Sequence, residues 1–439
     1  MKPQGKLRKL HPNIWIVTVT SFLTDISSEM IVYLIPLFLS NVLGVRMAFI
    51  GLIDGVAETT ASLLKVYSGS LSDKLGQRKW LAVLGYGIST IAKPFLYFAN
   101  SWGWVLGVRF SDRVGKGIRT APRDALVAAS TDKENRGLAF GLHRAGDTAG
   151  AFLGIAIAAW IVWLTQKGAL QITREAFQMA VLASIIPAVL AVIVLGVGAV
   201  DVAGAGKGEE KKRLSFKEVD PRFRNFLLIT ILFTLGNSSD SFIILRAQER
   251  GLNVLQTLFM LMTFTAIYTI LSGPLGALSD KIGRRKLMIG GWIAYGLVYL
   301  GFAFASAGWQ IWLLFGLYGI YYAATEGVAK AFVADLVPDA QRGAAYGWFN
   351  AAIGITALPA SLLAGLLWQG LGQWAGFGPS APFLFGAALA LVAGILLWRV
   401  IKSLGGWVFG GGGGLWFSWL GFQRFSHNCI VTYARGLMI

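Results

Sequence analysis

Twelve stretches of about twenty mostly apolar residues follow one another along this chain. They run near 14–38, 48–72, 80–99, 103–128, 138–164 and 176–200, then near 224–245, 256–277, 287–306, 309–333, 343–368 and 383–402. Each is about as long as the hydrocarbon core of a bilayer is thick when wound as a helix. Lipid offers backbone amides no hydrogen-bond partner, so runs of this length and spacing have to be helices and not strands of an open sheet. Composition agrees, with 55% of the 439 residues apolar and only 14% charged. The expected fold is an all-α membrane protein with twelve transmembrane helices.

The formal net charge of +17 raises the question of nucleic acid, and the position of the basic residues answers it. Lys2, Lys6, Arg8, Lys9, Lys74, Arg78, Lys79, Lys211, Lys212, Arg213, Lys281, Arg284, Arg285 and Lys286 all fall on one side if the spans alternate. The other side receives Arg46, Lys167, Arg174, Arg246 and Arg250. That bias is the positive-inside pattern and puts both termini in the cytoplasm. The surplus charge reports topology, and no nucleic-acid partner is expected. The single cysteine, Cys429, excludes an internal disulfide or cysteine metal site. The basic start is followed by a run holding Asp25 and Glu29 with no small-residue cleavage site, which reads as a retained first helix.

The chain also repeats itself. GSLSDKLGQRK at 69–79 returns as GALSDKIGRRK at 276–286, identical at eight of eleven positions. RGLAFGLHRAG from Arg136 is echoed by RGAAYGWFNAA from Arg342, 206 residues later, and Ser27, Ser28 and Glu29 are weakly echoed by Ser238, Ser239 and Asp240. Matches at corresponding places in two halves are the mark of a duplicated carrier with its path near mid-membrane between them. The expected organisation is two pseudo-symmetric six-helix bundles, 1–200 and 224–402, a solvated cytoplasmic linker at 201–223, and an atypical Gly-rich tail at 403–439 to which no function is assigned.

In the repeated loop, Gly69 permits close helix approach, Gly76 permits a tight turn, and Asp73 at a helix end can accept hydrogen bonds or pair with a cation. With Gly69, Asp73, Lys74, Gly76, Arg78 and Lys79 in the first copy, and Gly276, Asp280, Lys281, Gly283, Arg284 and Arg285 in the second, the chain resembles the major facilitator superfamily. Only Gln77 departs from the loop pattern. GKGIRTAPRDALVA from Gly115 and RGLAFGLHRAGDTAGAFLG from Arg136 are similar to a bacterial subgroup made up mainly of permeases and efflux proteins. The resemblance covers about 10–402. It implies a conformational latch at these loops, with Gly69, Asp73, Gly76, Arg78, Gly276, Asp280, Gly283 and Arg284 as gating residues.

Ionisable groups at membrane depth are costly unless paired or facing water. Arg109, Asp112, Arg113, Lys116, Arg119 and Arg123 recur at helical spacing along one face of the fourth span. Asp25 and Glu29 share a face of the first span with Thr18, Ser21 and Ser28. Asp54, Glu58 and Lys65 do so on the second, and His143, Arg144 and Asp147 lie on the fifth. The second half is thinner in charge, with Asn237, Asp240, Glu326 and Lys330 beside Tyr318, Tyr321 and Tyr322. One reading is an ion-pair network that holds the first half together. The other, taken as the expectation, is the lining of an aqueous cavity that binds an anionic or zwitterionic solute. Asp25 and Glu29 are the first candidates for proton coupling, since desolvation and neighbouring cations tune a carboxyl's proton affinity. His143 and Asp147 are candidates as well, although a histidine one turn from an aspartate serves equally as a satisfied core residue. The resemblance adds that Arg113 or Arg109 stands where proton-coupled members carry a fourth-helix arginine. Arg119 and Arg123 lie nearer the cytoplasmic end, within reach of the Asp73 latch. The tyrosines serve as cavity surface or as interfacial anchors.

No phosphate-binding loop, zinc-protease motif or serine elbow occurs, so an enzyme is not expected, nor a cofactor or a metal. The expected activity is secondary transport of a small solute by a monomeric, multi-pass protein of the inner (plasma) membrane, with proton-coupled export foremost. Proton symport or facilitated uptake is the runner-up. A non-transporting sensor or scaffold is the rival from another class.

Overall fold

The structure, a computed structural model, describes residues 10–132, 135–166, 168–202, 220–338 and 341–400, without the side chain of Asp73. Most of the expected linker and the whole Gly-rich tail lie outside the described residues. Among the described residues the fold is all-α. The helices are α1 Pro12–Val32, α2 Leu34–Asn41, α3 Met47–Leu75, α4 Arg78–Ala92, α5 Trp102–Ala129, α6 Arg136–Gln166 and α7 Arg174–Gly198. They continue as α8 Pro221–Gly236, α9 Ser241–Glu249, α10 Val254–Ile282, α11 Arg284–Phe304, α12 Gly308–Leu336, α13 Arg342–Gln369 and α14 Ala381–Val400. A 3₁₀ helix at Lys93–Phe98 extends α4.

Ten segments among the described residues are long and apolar enough to cross a membrane. Three are broken rods. α1 and α2 form one segment, interrupted at Tyr33, three residues before Pro36, whose missing N–H and ring prevent a regular turn. Pro94 sits at the start of the 3₁₀ extension of α4. α8 and α9 are separated at Asn237–Asp240, where Gly, Asn, Ser and Asp follow one another and their short polar side chains compete for the backbone. The echoed Ser27, Ser28 and Glu29, by contrast, lie inside unbroken α1.

Packing repeats as the sequence does. α1 lies against α6 and α7, α3 against α5, and α4 against α5 and α7. Correspondingly, α8 lies against α13 and α14, α10 against α12, and α11 against α12 and α14. The two sets meet along α3–α13 and α6–α10. The α3–α13 seam is tight because glycines face it: a Cβ on Gly354 would fall on the Ser62 side chain, and one on Gly365 would fall on the Met47 backbone.

Candidate functional site

The sequence-selected charges separate into two places. Asp25 and Glu29 of α1, with Arg109, Asp112, Arg113, Lys116 and Arg119 of α5, line a chamber of about 80 Å³ inside the first half. The ionic face expected on α5 is therefore turned inward, where Arg109, Arg113 and Arg119 are buried. Asp112 lies 4.0 Å from Arg109 and 3.9 Å from Arg113. From α3, Asp54 approaches Arg109 to 3.7 Å and Glu58 approaches Arg113 to 3.4 Å. Arg119 does not turn towards the gating loop. Its guanidinium donates to Ser89 Oγ at 2.7 Å and lies 4.6 Å from the Tyr86 ring centre.

The second place is a groove of about 380 Å³ lined from both halves by Arg123, His143, Arg144, Asp147, Tyr268, Tyr322, Glu326 and Lys330, among others. Arg144 Nη2 donates to the Tyr268 hydroxyl at 2.5 Å and stands 3.5 Å from Glu326 Oε2, while Tyr268 donates to that same carboxylate. This three-member bridge joins α6 to α10 and α12. His143 Nδ1 lies 3.5 Å from Asp147 Oδ1 without hydrogen-bond geometry, and both imidazole nitrogens lack a partner. Arg123 pairs with Asp124 at 2.9 Å and reaches Ser21 Oγ at 3.2 Å.

Asp54 connects the halves. One oxygen faces Arg109, and the other accepts a 2.7 Å hydrogen bond from Ser239 Oγ in the break between α8 and α9. Around this link the end of the molecule bearing Met47 and Gln369 is shut. Gln369 Oε1 accepts from Met47 N at 3.0 Å, Arg46 donates to Gly372 O at 3.1 Å, and Gln248 donates to Leu170 O at 2.7 Å.

Several second-half candidates are placed elsewhere than expected. Asn237 and Asp240 do not line the groove: Asn237 accepts from Tyr295 at 3.3 Å, and Asp240 accepts from Tyr318 at 3.1 Å. Tyr318 is fully buried and Tyr321 nearly so, within a packed cluster that includes Tyr295, Tyr299 and Phe315, so the interfacial-anchor reading fails for both. Enclosed rings of this kind bring apolar area and edge contacts that an interfacial belt would leave in headgroups. Tyr322 does face the groove.

In the repeated loops, Gly76 and Gly283 adopt positive φ, 64° and 93°, as the tight turn requires. A Cβ on Gly69 would lie 3.3 Å from Ala121, in keeping with close approach, whereas Gly276 faces open space at the groove and makes no such approach. Asp201 Oδ1 accepts from the N–H groups of Arg78 and Lys79, at 3.0 and 2.8 Å, as an N-cap supplied from the end of α7. In the second copy Arg284 pairs with Asp335 at 2.5 Å and Asp280 at 3.3 Å. The side chain of Asp73 lies outside the described residues.

Sequence reasoning missed Lys93, Tyr268 and the role of Arg246. Lys93 is buried on the chamber wall, its ammonium donating to Ser27 Oγ at 2.6 Å and Ser28 Oγ at 3.1 Å. A lone lysine within an apolar run was its signal. Arg246, which the sequence puts just past the seventh run, is fully buried. It donates to Phe302 O at 3.1 Å, Ala303 O at 2.9 Å and Ser380 Oγ at 3.2 Å, capping the end of α11.

The profile of the Major Facilitator Superfamily matches residues 17–262 and 226–437. An uncharacterized MFS-type transporter of Methanocaldococcus jannaschii is 37% identical over 396 residues, covering 89% of this chain and 95% of that protein. The multi-drug resistance efflux pump PmrA of Streptococcus pneumoniae is 25% identical over 342 residues, 75% of this chain and 82% of the pump. Among solved structures, a D-xylose-proton symporter superposes with a TM-score of 0.72 at 15% identity, covering 89% of this chain and 98% of that one. The nucleoside transporter NupG superposes with a TM-score of 0.69 at 14% identity, covering 89% and 99%. At such identities the likeness concerns the fold alone.

Proposed function

The chain belongs to the major facilitator superfamily, and on that premise we propose that it exports a small solute across the plasma membrane by proton-coupled alternating access. The long helices α5 and α12, too rich in charge or tyrosine to count as simple apolar spans, complete a set of twelve in two six-helix bundles. With both termini in the cytoplasm, as the basic-residue bias favours, the end sealed by Arg46, Met47 and Gln369 faces outward. The groove between the bundles then faces the cytoplasm and receives the solute. Its alternating Arg144, Glu326, Asp147 and Lys330 suit an anionic or zwitterionic molecule, and Tyr322 and Tyr268 suit an unsaturated or apolar body.

The observation that carries this reading is Asp54, held by Arg109 on one side and by Ser239 of the other half on the opposite side. Asp25 and Glu29 share their chamber with Arg109, Arg113 and Lys116. A proton on either carboxyl withdraws negative charge from those cations, which then draw more strongly on Asp54 and Glu58. That pull competes with Ser239 for Asp54 and loosens the outward seal. Proton binding on the first half is thereby linked to a contact between halves. Export as the direction is supported by the efflux pump among the relatives.

The test uses inside-out vesicles loaded with acid and a pH-sensitive dye. Solute-induced proton movement out of the vesicles is the expected result, and its absence for every solute tested counts against antiport. Asp25→Asn and Glu29→Gln should abolish the proton dependence while the protein still folds. Full gradient-driven flux in both variants would place the proton site elsewhere.

A further inference from the structure

We propose that the chamber inside the first half binds a small inorganic anion of about chloride size, admitted when Asp25 or Glu29 holds a proton. The inference rests on the proton-carrying role given above to those two carboxyls, and it adds a second ligand to the same chamber.

The argument begins with unused donors. Arg109 and Arg113 are each more than nine-tenths buried, and among the described residues each has an Nε with no hydrogen-bond acceptor. Their carboxylate contacts, at 3.4–4.0 Å, are too long to be good hydrogen bonds. Lys93 is held by two neutral hydroxyls, and Arg119 by a hydroxyl and a ring face. Among the described residues no carboxylate lies within 4.0 Å of Lys93, Lys116 or Arg119. Buried guanidinium and ammonium groups ordinarily find charged or well-aligned acceptors, because leaving such donors unfilled in a low-dielectric interior is costly.

Charge balance adds a second line. The chamber is lined by five cations and three carboxylates, Asp25, Glu29 and Asp112, and two further acids, Asp54 and Glu58, reach Arg109 and Arg113 from α3. Of the groups that line the chamber itself, five are cationic and three are acidic, and a proton on Asp25 or Glu29 leaves two acids. That widens the positive excess beside the buried Lys93, Arg109, Arg113 and Arg119, which an anion from solution offsets. The groups facing Asp25 are Glu29 on α1, Tyr33 at the α1–α2 break, Lys93, Lys116 and Arg119, and Asp147 from α6. Size sets the ligand class. At about 80 Å³ the chamber suits a halide or a few waters better than a solute that fills the 380 Å³ groove.

The experiment follows thermal unfolding of the purified full chain in detergent with no solute present. Sodium chloride or bromide is compared with sodium gluconate of equal ionic strength, at about pH 5.5 and about pH 8. The expected result is halide-specific stabilisation at the acid pH and little at the alkaline one. Lys93→Met should weaken the apparent halide affinity about tenfold or more, the loss of one charged donor. Arg119→Gln is the companion variant should Lys93→Met fail to fold. Asp25→Asn should respond to halide at both pH values, since its side chain is permanently neutral. Halide that acts no differently from gluconate, in the wild type and in Asp25→Asn alike, overturns the anion site. A halide response that Lys93→Met abolishes but that ignores pH keeps the site and overturns the proton role of Asp25 and Glu29. Because no solute is present, a positive response belongs to the free ion and not to an anionic group of the transported molecule.

Discussion

Ser239→Ala should shift the protein from the outward-sealed state towards the opposite one. The hydroxyl removed donates at 2.7 Å to the buried carboxylate of Asp54, and the two residues belong to different halves. A hydrogen bond to a charged acceptor contributes about 1.5–3 kcal/mol net. Because it exists only while the halves touch at this end, its loss acts on the equilibrium between states. At about 1.4 kcal/mol per tenfold, the ratio of sealed to unsealed protein falls roughly ten- to hundred-and-fifty-fold. Ser239 Oγ also accepts from Ser241 N at 3.2 Å, but that cap is local to α9 and weakens both states alike. Asp54 retains Arg109, so no bare charge is left behind. Spin labels at Trp104→Cys and Phe377→Cys, in a Cys429→Ser background, report the separation of exposed positions on the two halves by pulsed electron resonance. The variant should show a growing long-distance population. A distance distribution matching the unsubstituted seal would refute the claim that this bond holds the two halves together.

Two further substitutions probe the same architecture from other directions. Gly365→Val places side-chain atoms on the Met47 backbone at the sealed end of the α3–α13 seam, so the same label pair should report a protein held open at that end, with transport lost and folding retained. Arg246→Met deprives the Phe302 and Ala303 carbonyls of their donor and leaves Glu249 only its longer 3.6 Å pairing with Arg250, which should cost about 3 kcal/mol or more of stability, read as a lower unfolding temperature.

What the sequence made legible followed from periodicity. The apolar runs, the loop echoes and the inward ionic face of α5 are local patterns, and each appears where its spacing puts it. Partner choice was not legible, since it depends on residues far apart in the chain. Nothing in the second and seventh runs announces that Asp54 would bond Ser239, nor does the eighth run announce that Tyr268 would sit between Arg144 and Glu326. Lys93 is a different case, because the reasoning that selected Arg109 applies equally to a lysine in an apolar run. Arg246 was misplaced because a charge near a helix end reads as a loop residue, whereas here the exposed carbonyls of α11 required a donor.

The two halves share packing but not chemistry, and a comparison of matched positions shows how they diverged. Two hundred and six residues after Lys93, Arg109 and Asp112 stand Tyr299, Phe315 and Tyr318. The first three line the ionic chamber; the latter three are fully buried and packed ring against ring. A duplicated scaffold with a polar chamber in each half would have to stabilise two sets of buried charge, each at a desolvation cost of several kcal/mol per ion. Filling one chamber with aromatic rings removes that cost and stiffens the half that holds them. Asp240 is an acid kept beside these rings, and it accepts from Tyr318. Under the proposed mechanism charge movement is confined to the first half, while the second responds through Ser239, Tyr268 and Glu326, which touch Asp54 and Arg144. On this view, replacing Tyr299 or Tyr318 should alter stability and the rate of exchange between states, but leave the proton dependence of transport as it is. A change in that dependence would mean that the second half handles protons too.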